Sequence, residues 1–204
     1  MLPVNENLIL MEKKINKMDV SIIIVNYNTI GLTRNCLKSV FEQTKDIAFE
    51  VIVSDNGSTD GSVEMIKSEF PQVNLIENNE NLGFGAANNR GLALAKGKYI
   101  FYLNSDTILL NNAVKMFFDY WENTTEKNSI GAIGCNLLNS DMSINSSFGC
   151  FPTYRSLLGK HFRHIASAYL KPAVSFFLGK KNFSKPLCFF LGDVDYITGA
   201  ALFL

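Results

Sequence analysis

The sequence of 204 residues lacks the marks of a disulfide-rich, a metal-clustered or a membrane-spanning protein. Its four cysteines are widely spaced, with no Cys-x-x-Cys pair and no nearby histidine at a ligand spacing: Cys36, Cys135, Cys150 and Cys188. We expect them to be reduced thiols that mostly serve in packing. No run of about 18 apolar residues is present, so no membrane-spanning helix is predicted. Residues 1–18 lack a signal-peptide pattern and are expected to form an N-terminal extension.

Acidic residues are missing from one long stretch of the chain. The formal net charge is zero, with 19 Lys and Arg against 19 Asp and Glu, which argues against a global polyanion such as nucleic acid as partner. Between Asp141 and Asp193, however, Lys and Arg give residues 142–192 a local charge of +7. Aromatic residues are interleaved with these cations. The segment is either a helix pair packed on the core with solvated lysines, or a surface that contacts anionic lipid.

Apolar runs alternate with helix-type patterns along the first part of the chain. The runs predict strands buried on both faces at Val20–Val25, Phe49–Ser54, Val73–Glu77, Tyr99–Leu103 and Ile130–Cys135. Amphipathic segments between them predict helices, the last of which would be capped by Asn111. This alternation implies an α/β fold with a mostly parallel sheet flanked by helices.

Polar loops follow four of the predicted strands. They contain Asn26 and Asn28, then Asp55–Ser62, Asn78–Gly85 and Asn104–Asp106. Right-handed crossovers bring the loops after parallel strands to one edge of the sheet, where ligands bind in open α/β folds. The sequence therefore predicts a single polar crevice built from four loops.

Asp55 and Asp60 each have two interpretations. At the end of a strand, the Asp55 carboxylate could accept a hydrogen bond from a nucleobase N–H, such as N3–H of uracil or thymine. Alternatively, Asp-Asn-Gly is a turn in which Asp55 binds its own backbone. Asp60 could be a ligand, although its place before a helical pattern favours a role as helix N-cap.

The segment Asn104-Ser105-Asp106 could hold a divalent cation. Mg²⁺ and Mn²⁺ take oxygen ligands and need few protein carboxylates when phosphates supply the rest. Asp106 would provide one carboxylate and Asn104 a neutral oxygen or an indirect hydrogen bond. The alternative is an Asx turn at the end of the strand.

The segment Gly83–Gly91 resembles a dinucleotide-binding GxGxxG motif only superficially. Asn88 replaces the third glycine, and the segment follows the third predicted strand instead of the first. Its small residues permit close approach of helix, sheet and ligand. Asn89 and Arg90 could reach a phosphate or ribose, or Arg90 could be an ordinary solvated charge.

Together, these motifs resemble family 2 glycosyltransferases of the GT-A fold, and most closely the rhamnosyltransferase-like group. The resemblance rests on VSIIIVNYNT…FEVIVSDNGSTDGS (20–62), NLGFGAANNRG (81–91), YIFYLNSDT (99–107) and VDYITGAA (194–201). It implies a Rossmann-like sheet and transfer of a sugar from a UDP- or dTDP-sugar, dTDP-rhamnose among the candidates. The acceptor would be a glycan or a lipid-linked molecule, the anomeric centre would invert, and the product would serve cell-surface polysaccharide synthesis.

Carried onto this chain, the resemblance assigns the donor site residue by residue. Asn26, Asn28 and Asp55 would hold the nucleobase, and Asn89 with its neighbours the ribose and diphosphate. Asn104, Ser105 and Asp106 occupy the place of the Asp-x-Asp metal motif, with Asn in place of its first carboxylate.

The catalytic base of the family is an aspartate downstream of the Gly-Ala segment, and this sequence stops at Leu204. We therefore expect a C-terminally truncated fold, in which Asp195 lines the site instead of acting as base. The expected organisation is an extension (1–18) and a transferase domain (19–204). Within that domain, 19–140 would bind the nucleotide sugar and 141–204 would form an incomplete acceptor side.

Two other functions are compatible with parts of the sequence. A catalytically incomplete, transferase-like binding module would explain the missing base and Asn104. Nucleotidyl transfer is disfavoured, because Asn26–Gly31 lacks a glycine- and Lys/Arg-rich phosphate loop. In either case we expect a cytoplasmic location, compatible with peripheral contact at the inner face of an anionic plasma membrane.

Overall fold

Four parallel strands form the centre of a six-stranded sheet in the computed structural model, which describes residues 18–125, 127, 130–145, 148–149, 196–197 and 200–204. The parallel strands are β1 (Val20–Asn26), β2 (Phe49–Asp55), β3 (Asn74–Glu77) and β4 (Tyr99–Asn104). The sheet also contains β5 (Ile133–Gly134) and β10 (Ala201–Phe203). The strand order is β3-β2-β1-β4-β10-β5, with β10 antiparallel to both of its neighbours. The predicted α/β fold with a mostly parallel sheet is confirmed.

Helices connect the parallel strands. They are α1 (Ile30–Gln43), α2 (Ser62–Glu69), α3 (Phe84–Leu94) and α4 (Ala113–Asn123). The predicted cap of α4 is wrong by one residue, because Asn112 and not Asn111 occupies the N-cap position. The Asn112 side chain does not cap the helix either: it pairs with the backbone N–H and carbonyl of Lys45, at 3.3 and 2.9 Å.

β1 and β2 are buried on both faces, which explains the apolar run Ile22–Val25 of β1. The expected two-face burial is wrong for β3, which lies at the edge of the sheet and has no buried residue. Ile22 and Ile24 belong to the core cluster that also contains Leu37 of α1. Ile23 points to the opposite face, as the two-residue period of a strand requires. There it meets α3 so closely that a Cβ on Gly91 would lie 2.6 Å from its Cγ2. A larger residue at position 91 would therefore force Ile23 or α3 to shift, and glycine permits the close packing of α3 on β1.

Aromatic rings close the core beside β4 and β10. Phe101 and Phe203 are fully buried, and their ring centroids lie 5.5 and 5.6 Å, respectively, from that of Phe117 on α4. Such contacts favour burial of α4 against these two strands.

Short strands make up the remaining described structure. β6 (Leu137–Leu138) and β7 (Ile144–Asn145) form a hairpin. β8 (Phe148–Gly149) pairs with β9 (Tyr196–Ile197) in a separate unit that spans 148–197. Most of the basic segment, together with Asp195, Cys150 and Cys188, lies outside the described residues, so the expectations for it stay predictions.

No helix in the described part of the chain is both long enough and apolar enough to cross a membrane.

Candidate functional site

The parallel strands end level with one another, so their following loops meet at one edge. Asn26, the last residue of β1, is in register with Asp55, the last residue of β2. On the other side of β1, Val25 is in register with Asn104 at the end of β4. The ends of β1, β2 and β4 therefore lie side by side at the carboxyl edge of the sheet, where the sequence predicted the polar crevice.

The Asp55 side chain stabilises the turn that follows β2. Its Oδ1 accepts hydrogen bonds from the backbone N–H groups of Gly57 and Ser58 at 3.1 and 2.8 Å. Its Oδ2 accepts from Asn26 Nδ2 and from the Ser58 hydroxyl, both at 2.6 Å. The residue is only 1% exposed. The turn interpretation accounts for the three contacts with Gly57 and Ser58, the bond from Asn26 ties the turn to β1, and a direct nucleobase contact stays a prediction.

Asn26 and Asn28 join the first two loops. Asn26 is fully buried, and its Oδ1 accepts from the hydroxyls of Thr29 and Thr33 at 2.7 and 2.6 Å. Asn28 adopts a left-handed backbone with φ of 52°. From there its Oδ1 accepts from the backbone N–H of Thr59 at 2.8 Å, and its own N–H donates to Ser58 at 2.9 Å. These bonds hold the two loops in one arrangement.

Asp60 connects the starts of two helices. Its Oδ2 accepts from the backbone N–H of Ile30, the first residue of α1, at 2.8 Å. Its Oδ1 accepts from the backbone N–H and hydroxyl of Ser62, the first residue of α2, at 3.1 and 2.5 Å. Partial desolvation raises the pKa of Asp60, but the hydrogen bonds from Ser62 and Ile30 together outweigh it and hold the pKa below its usual value. The predicted N-cap role of Asp60 is wrong by one residue, because Gly61 occupies the N-cap position of α2. The contacts nevertheless give Asp60 a structural role at the starts of both helices.

A buried amide network links the second and third loops to α3. Asn78 donates through Nδ2 to Ser54 Oγ and Asn56 Oδ1, at 2.9 and 3.0 Å. Asn56 in turn donates to Asn81 Oδ1 at 3.3 Å. The sequence interpretation missed this network, although the loop Asn78–Gly85 was placed at the correct edge. The available signal was the density of asparagines in the two loops.

Arg90 extends from α3 to this network, where its Nη1 donates to Asn78 Oδ1 at 2.9 Å. Within residues 18–125, 127 and 130–145, three cations form no ion pair: Lys45, Arg90 and Lys96. Lys45 and Lys96 precede strands and lie at the amino edge, whereas the Arg90 guanidinium reaches the carboxyl edge. Asn89 is exposed on the same helix, and its side chain forms no hydrogen bond with a described residue.

The loop after β4 presents one free carboxylate. Asp106 is exposed and accepts no hydrogen bond from the described residues. The Oδ1 of Asn104 is buried without a hydrogen-bond partner among them. Ser105 lies beside the first loop, with its hydroxyl 3.3 Å from that of Thr29. All three residues thus lie at the predicted edge, but of the two predicted metal ligands only Asp106 offers a side-chain oxygen to solvent without rearrangement.

Burial and then the negative charge of Asp106 raise the pKa of the Cys36 thiol to about 12. Cys36 is fully buried and its Sγ lies 3.5 Å from the carbonyl oxygen of Asn104. It therefore stays protonated and serves in packing, as expected, and is not a nucleophile.

The donor set fits a cation shared with a phosphorylated ligand and does not fit an all-protein metal cage. No group of three or more His, Cys, Asp or Glu side chains comes together among the described residues. A single exposed carboxylate suffices where phosphate oxygens complete the coordination of Mg²⁺ or Mn²⁺.

A sequence model of Glycosyl transferase family 2 matches residues 21–178, well over half of the chain. The chain belongs to glycosyl transferase family 2. It is 31% identical over 121 residues to the poly(ribitol-phosphate) beta-glucosyltransferase of Bacillus spizizenii, covering 57% of this chain and 19% of that protein. It is 33% identical over 127 residues to glycosyltransferase GlyG of Streptococcus pneumoniae, covering 61% of this chain and 40% of that protein. This family 2 chain therefore spans less than half the length of these relatives.

Two solved structures share the fold. The mannosyltransferase PcManGT of Pyrobaculum calidifontis, in complex with GDP-Man and Mn²⁺, aligns with a TM-score of 0.51 at 24% identity, covering 60% of this chain and 36% of that one. S. aureus TarS 1-349 in complex with UDP-GlcNAc aligns with a TM-score of 0.52 at 22% identity, covering 64% and 38%. At this identity the two structures bear on the fold alone, and they confirm the expected GT-A architecture.

Proposed function

We propose that this family 2 chain forms the donor-binding part of an enzyme that transfers a sugar from a nucleoside diphosphate to an acceptor hydroxyl. The observation that carries the proposal is the arrangement of the carboxyl edge. Hydrogen bonds join the loops after β1, β2 and β3 into one surface. On it, Arg90 is a cation without a carboxylate partner among the described residues, and Asp106 follows β4 as a free carboxylate.

The parts of the edge suit different parts of a donor. The loops that contain Asn26, Asn28 and Asp55 would enclose the nucleobase of a UDP- or dTDP-sugar. Arg90, with Asn89 one residue before it, would attract the diphosphate, because a guanidinium donates several hydrogen bonds to phosphate oxygens. Ser105 would contact the donor from the β4 loop.

A divalent cation would be held by Asp106 and, after rotation of its side chain, by Asn104. Such an ion, when bound, supplies charge neutralisation for a leaving diphosphate. Mg²⁺ and Mn²⁺ both suit these oxygen donors. The buried Oδ1 of Asn104 makes Asp106 the principal protein ligand in this proposal.

The finer assignment rests on the sequence motifs. They favour a rhamnosyltransferase-like donor preference, with dTDP-rhamnose as a candidate, and transfer with inversion. A general base would then remove the acceptor proton as the diphosphate leaves, and Asp195 would line the acceptor side. The Bacillus relative is named as a glucosyltransferase of poly(ribitol-phosphate), which supports a role in the synthesis of such polymers. A glycan or lipid-linked acceptor in polysaccharide synthesis is what the sequence motifs favour. The basic segment would face the acceptor, in a protein that is cytoplasmic or peripheral at the inner face of the plasma membrane.

Calorimetric titration tests the donor site directly. We expect binding of UDP or dTDP and of the corresponding sugar nucleotides, including dTDP-rhamnose, and tighter binding with Mn²⁺ present. If none of these ligands binds, with or without Mn²⁺, the proposed donor site is wrong.

The alternative is a binding module without transfer activity. The observation that favours it is Asn104, which places a buried amide oxygen where the family's metal motif begins with a carboxylate. Because no residue here is assigned as the base, release of UDP or dTDP from the sugar nucleotide separates the two functions when it is measured on a protein that also carries the expected base aspartate. Donor binding with no release, in the presence of Mn²⁺ and glycan or lipid-linked acceptors, would favour the binding module.

A further inference from the structure

Asn78 is held in one orientation at the centre of the loop cluster. It is only 6% exposed and follows β3 directly. Its backbone N–H donates to the carbonyl oxygen of Asp55 at 2.9 Å. Its side-chain nitrogen donates to Ser54 and Asn56, and its side-chain oxygen accepts from Arg90. Every polar group of the Asn78 side chain thus has a partner.

These contacts decide which way the amide faces. A rotation of 180° about the side-chain axis would place the amide nitrogen against the Arg90 guanidinium, which has only donors. The same rotation would place the oxygen where Nδ2 now donates to Asn56 Oδ1, leaving two oxygens face to face. The Asn78 oxygen is therefore fixed toward Arg90, and the contact restrains a side chain that otherwise has several freely rotating bonds.

The neutral acceptor also preserves the charge of Arg90. Arg34, Lys38, Lys67, Lys98, Lys115 and Lys127 are in ion pairs with Asp or Glu. Arg90 is instead oriented by an amide, so its positive charge is not cancelled by its partner. An arginine that is restrained and still fully charged is suited to bind an anion, because little conformational freedom is left to lose when the anion arrives.

We propose that Asn78 is a positioning residue that holds the Arg90 guanidinium ready for the diphosphate of the donor. The proposal rests on the donor-binding function proposed above and adds a residue that would never touch the donor itself. It assigns the side chain two separate tasks, to restrain Arg90 and to leave its charge intact.

Two substitutions separate these tasks. Asn78→Ala removes the acceptor and frees Arg90. Asn78→Asp keeps an oxygen facing Arg90 but adds a negative charge, so the guanidinium stays in place while its charge is cancelled. Ser54→Ala is the matched control, because it removes another hydrogen bond of Asn78 without touching Arg90. Arg90→Ala and the double variant Asn78→Ala/Arg90→Ala complete a double-mutant cycle.

The readout is calorimetric titration of the full chain with UDP and with uridine, which lacks phosphate. We expect Asn78→Ala to weaken UDP binding about fivefold, the equivalent of one immobilised long side chain. Asn78→Asp should weaken it at least as much. Uridine binding should be unchanged in both variants, Ser54→Ala should bind UDP like the wild type, and Asn78→Ala should have no further effect once Arg90 is absent.

A measurement without ligand tests the positioning role even if a variant binds UDP weakly because it folds poorly. Side-chain NMR of Arg90 should show slow guanidinium rotation in the wild type and in Asn78→Asp, and fast rotation in Asn78→Ala. Equal losses for UDP and uridine, or an equal loss in the Arg90→Ala background, would overturn the positioning role while leaving the donor site intact. If the wild type binds neither UDP nor dTDP, the proposed function fails and the positioning role fails with it.

Discussion

Asn26 and Asp55, the last residues of two neighbouring parallel strands, are joined by a hydrogen bond of 2.6 Å between buried side chains. The bond fixes the loops after β1 and β2 relative to each other at the edge where the donor is proposed to bind. The Asp55 side chain accepts four hydrogen bonds in all, two of which come from backbone N–H groups. The pair thus contributes to the stability of the same edge at which donor binding is proposed.

Replacing Asp55 by Ala should therefore destabilise the protein. The backbone N–H groups of Gly57 and Ser58, and the amide of Asn26, would each lose an acceptor in a buried place. We expect the free energy of unfolding to fall by about 3 kcal/mol, since hydrogen bonds to a charged group are worth about 1.5–3 kcal/mol each and water will satisfy part of the loss. Urea unfolding followed by circular dichroism measures the change.

Asp106→Ala is the matched control for this stability measurement, because the Asp106 carboxylate is exposed and has no hydrogen-bond partner among the described residues. It should unfold like the wild type. If Asp55→Ala is as stable as wild type but no longer binds UDP, the turn interpretation is wrong and the nucleobase interpretation gains.

Gly57 is the second position at which we expect a large effect from a small change. Its φ is +76°, and a Cβ there would lie 2.9 Å from the backbone nitrogen of Glu80 in the next loop. Gly57→Ala should therefore lower stability by more than about 1 kcal/mol, through backbone strain and a clash that backbone atoms cannot relieve easily. Thermal unfolding provides the measurement.

Gly31 offers a control of the same chemistry. It lies in α1, and a Cβ built on it meets nothing within 4 Å. Gly31→Ala should leave stability unchanged or raise it slightly, because alanine is the better helix former. Equal losses for the two variants would mean that the contact with Glu80 does not decide the outcome.

Sequence patterns predicted the centre of the sheet well because β1 and β2 are buried on both faces, whereas β3 at the edge is not. The run Val20–Val25 is rich in β-branched apolar residues, which is typical of a strand buried on both faces. Once the strands are placed, their ends determine which loops lie at the same edge. The Asn78–Arg90 contact could not be predicted in the same way. It joins a loop residue to a helix residue 12 positions away, and its partner choice depends on how the loop turns.

Single residues at helix starts were equally beyond the sequence pattern. Asn111 and Asn112 are both good capping residues, and the contact of Asn112 with the Lys45 backbone decides between them. For Asp55, the turn and the nucleobase interpretations were based on the same segment, Asp55-Asn56-Gly57. The four donors that surround its carboxylate became visible only with the loops in place.

The stability contribution of Asp60 should depend on pH. Because its folded-state pKa lies below the ordinary value, the contribution is fully present above about pH 4 and is lost as the pH falls through the folded-state pKa. Asp60→Asn should be less stable than the wild type at pH 7, and the difference should shrink toward pH 3. Urea unfolding at several pH values compares the two proteins, and a gap that stays constant over this range would contradict the prediction.

Asp106 should govern the response of donor binding to metal. It is the free carboxylate at the end of β4, whereas the Asn104 oxygen is buried. Asp106→Ala should abolish the increase in UDP affinity on adding Mn²⁺ and leave the affinity without metal nearly unchanged. Asn104→Ala should retain most of the increase. Calorimetric titrations with Mn²⁺ or with EDTA give the four comparisons.

Comparing Asp106→Ala with Asn104→Ala shows which of the two side chains binds the cation directly. An exposed carboxylate can move to meet the cation and the phosphates at no cost in buried contacts, so its loss should appear only when metal is present. Asn104 would first have to rotate its oxygen out of the core, which makes it a weaker contributor. If Asn104→Ala removes the Mn²⁺ effect and Asp106→Ala does not, the cation is held from the strand end itself and the assignment to Asp106 is wrong.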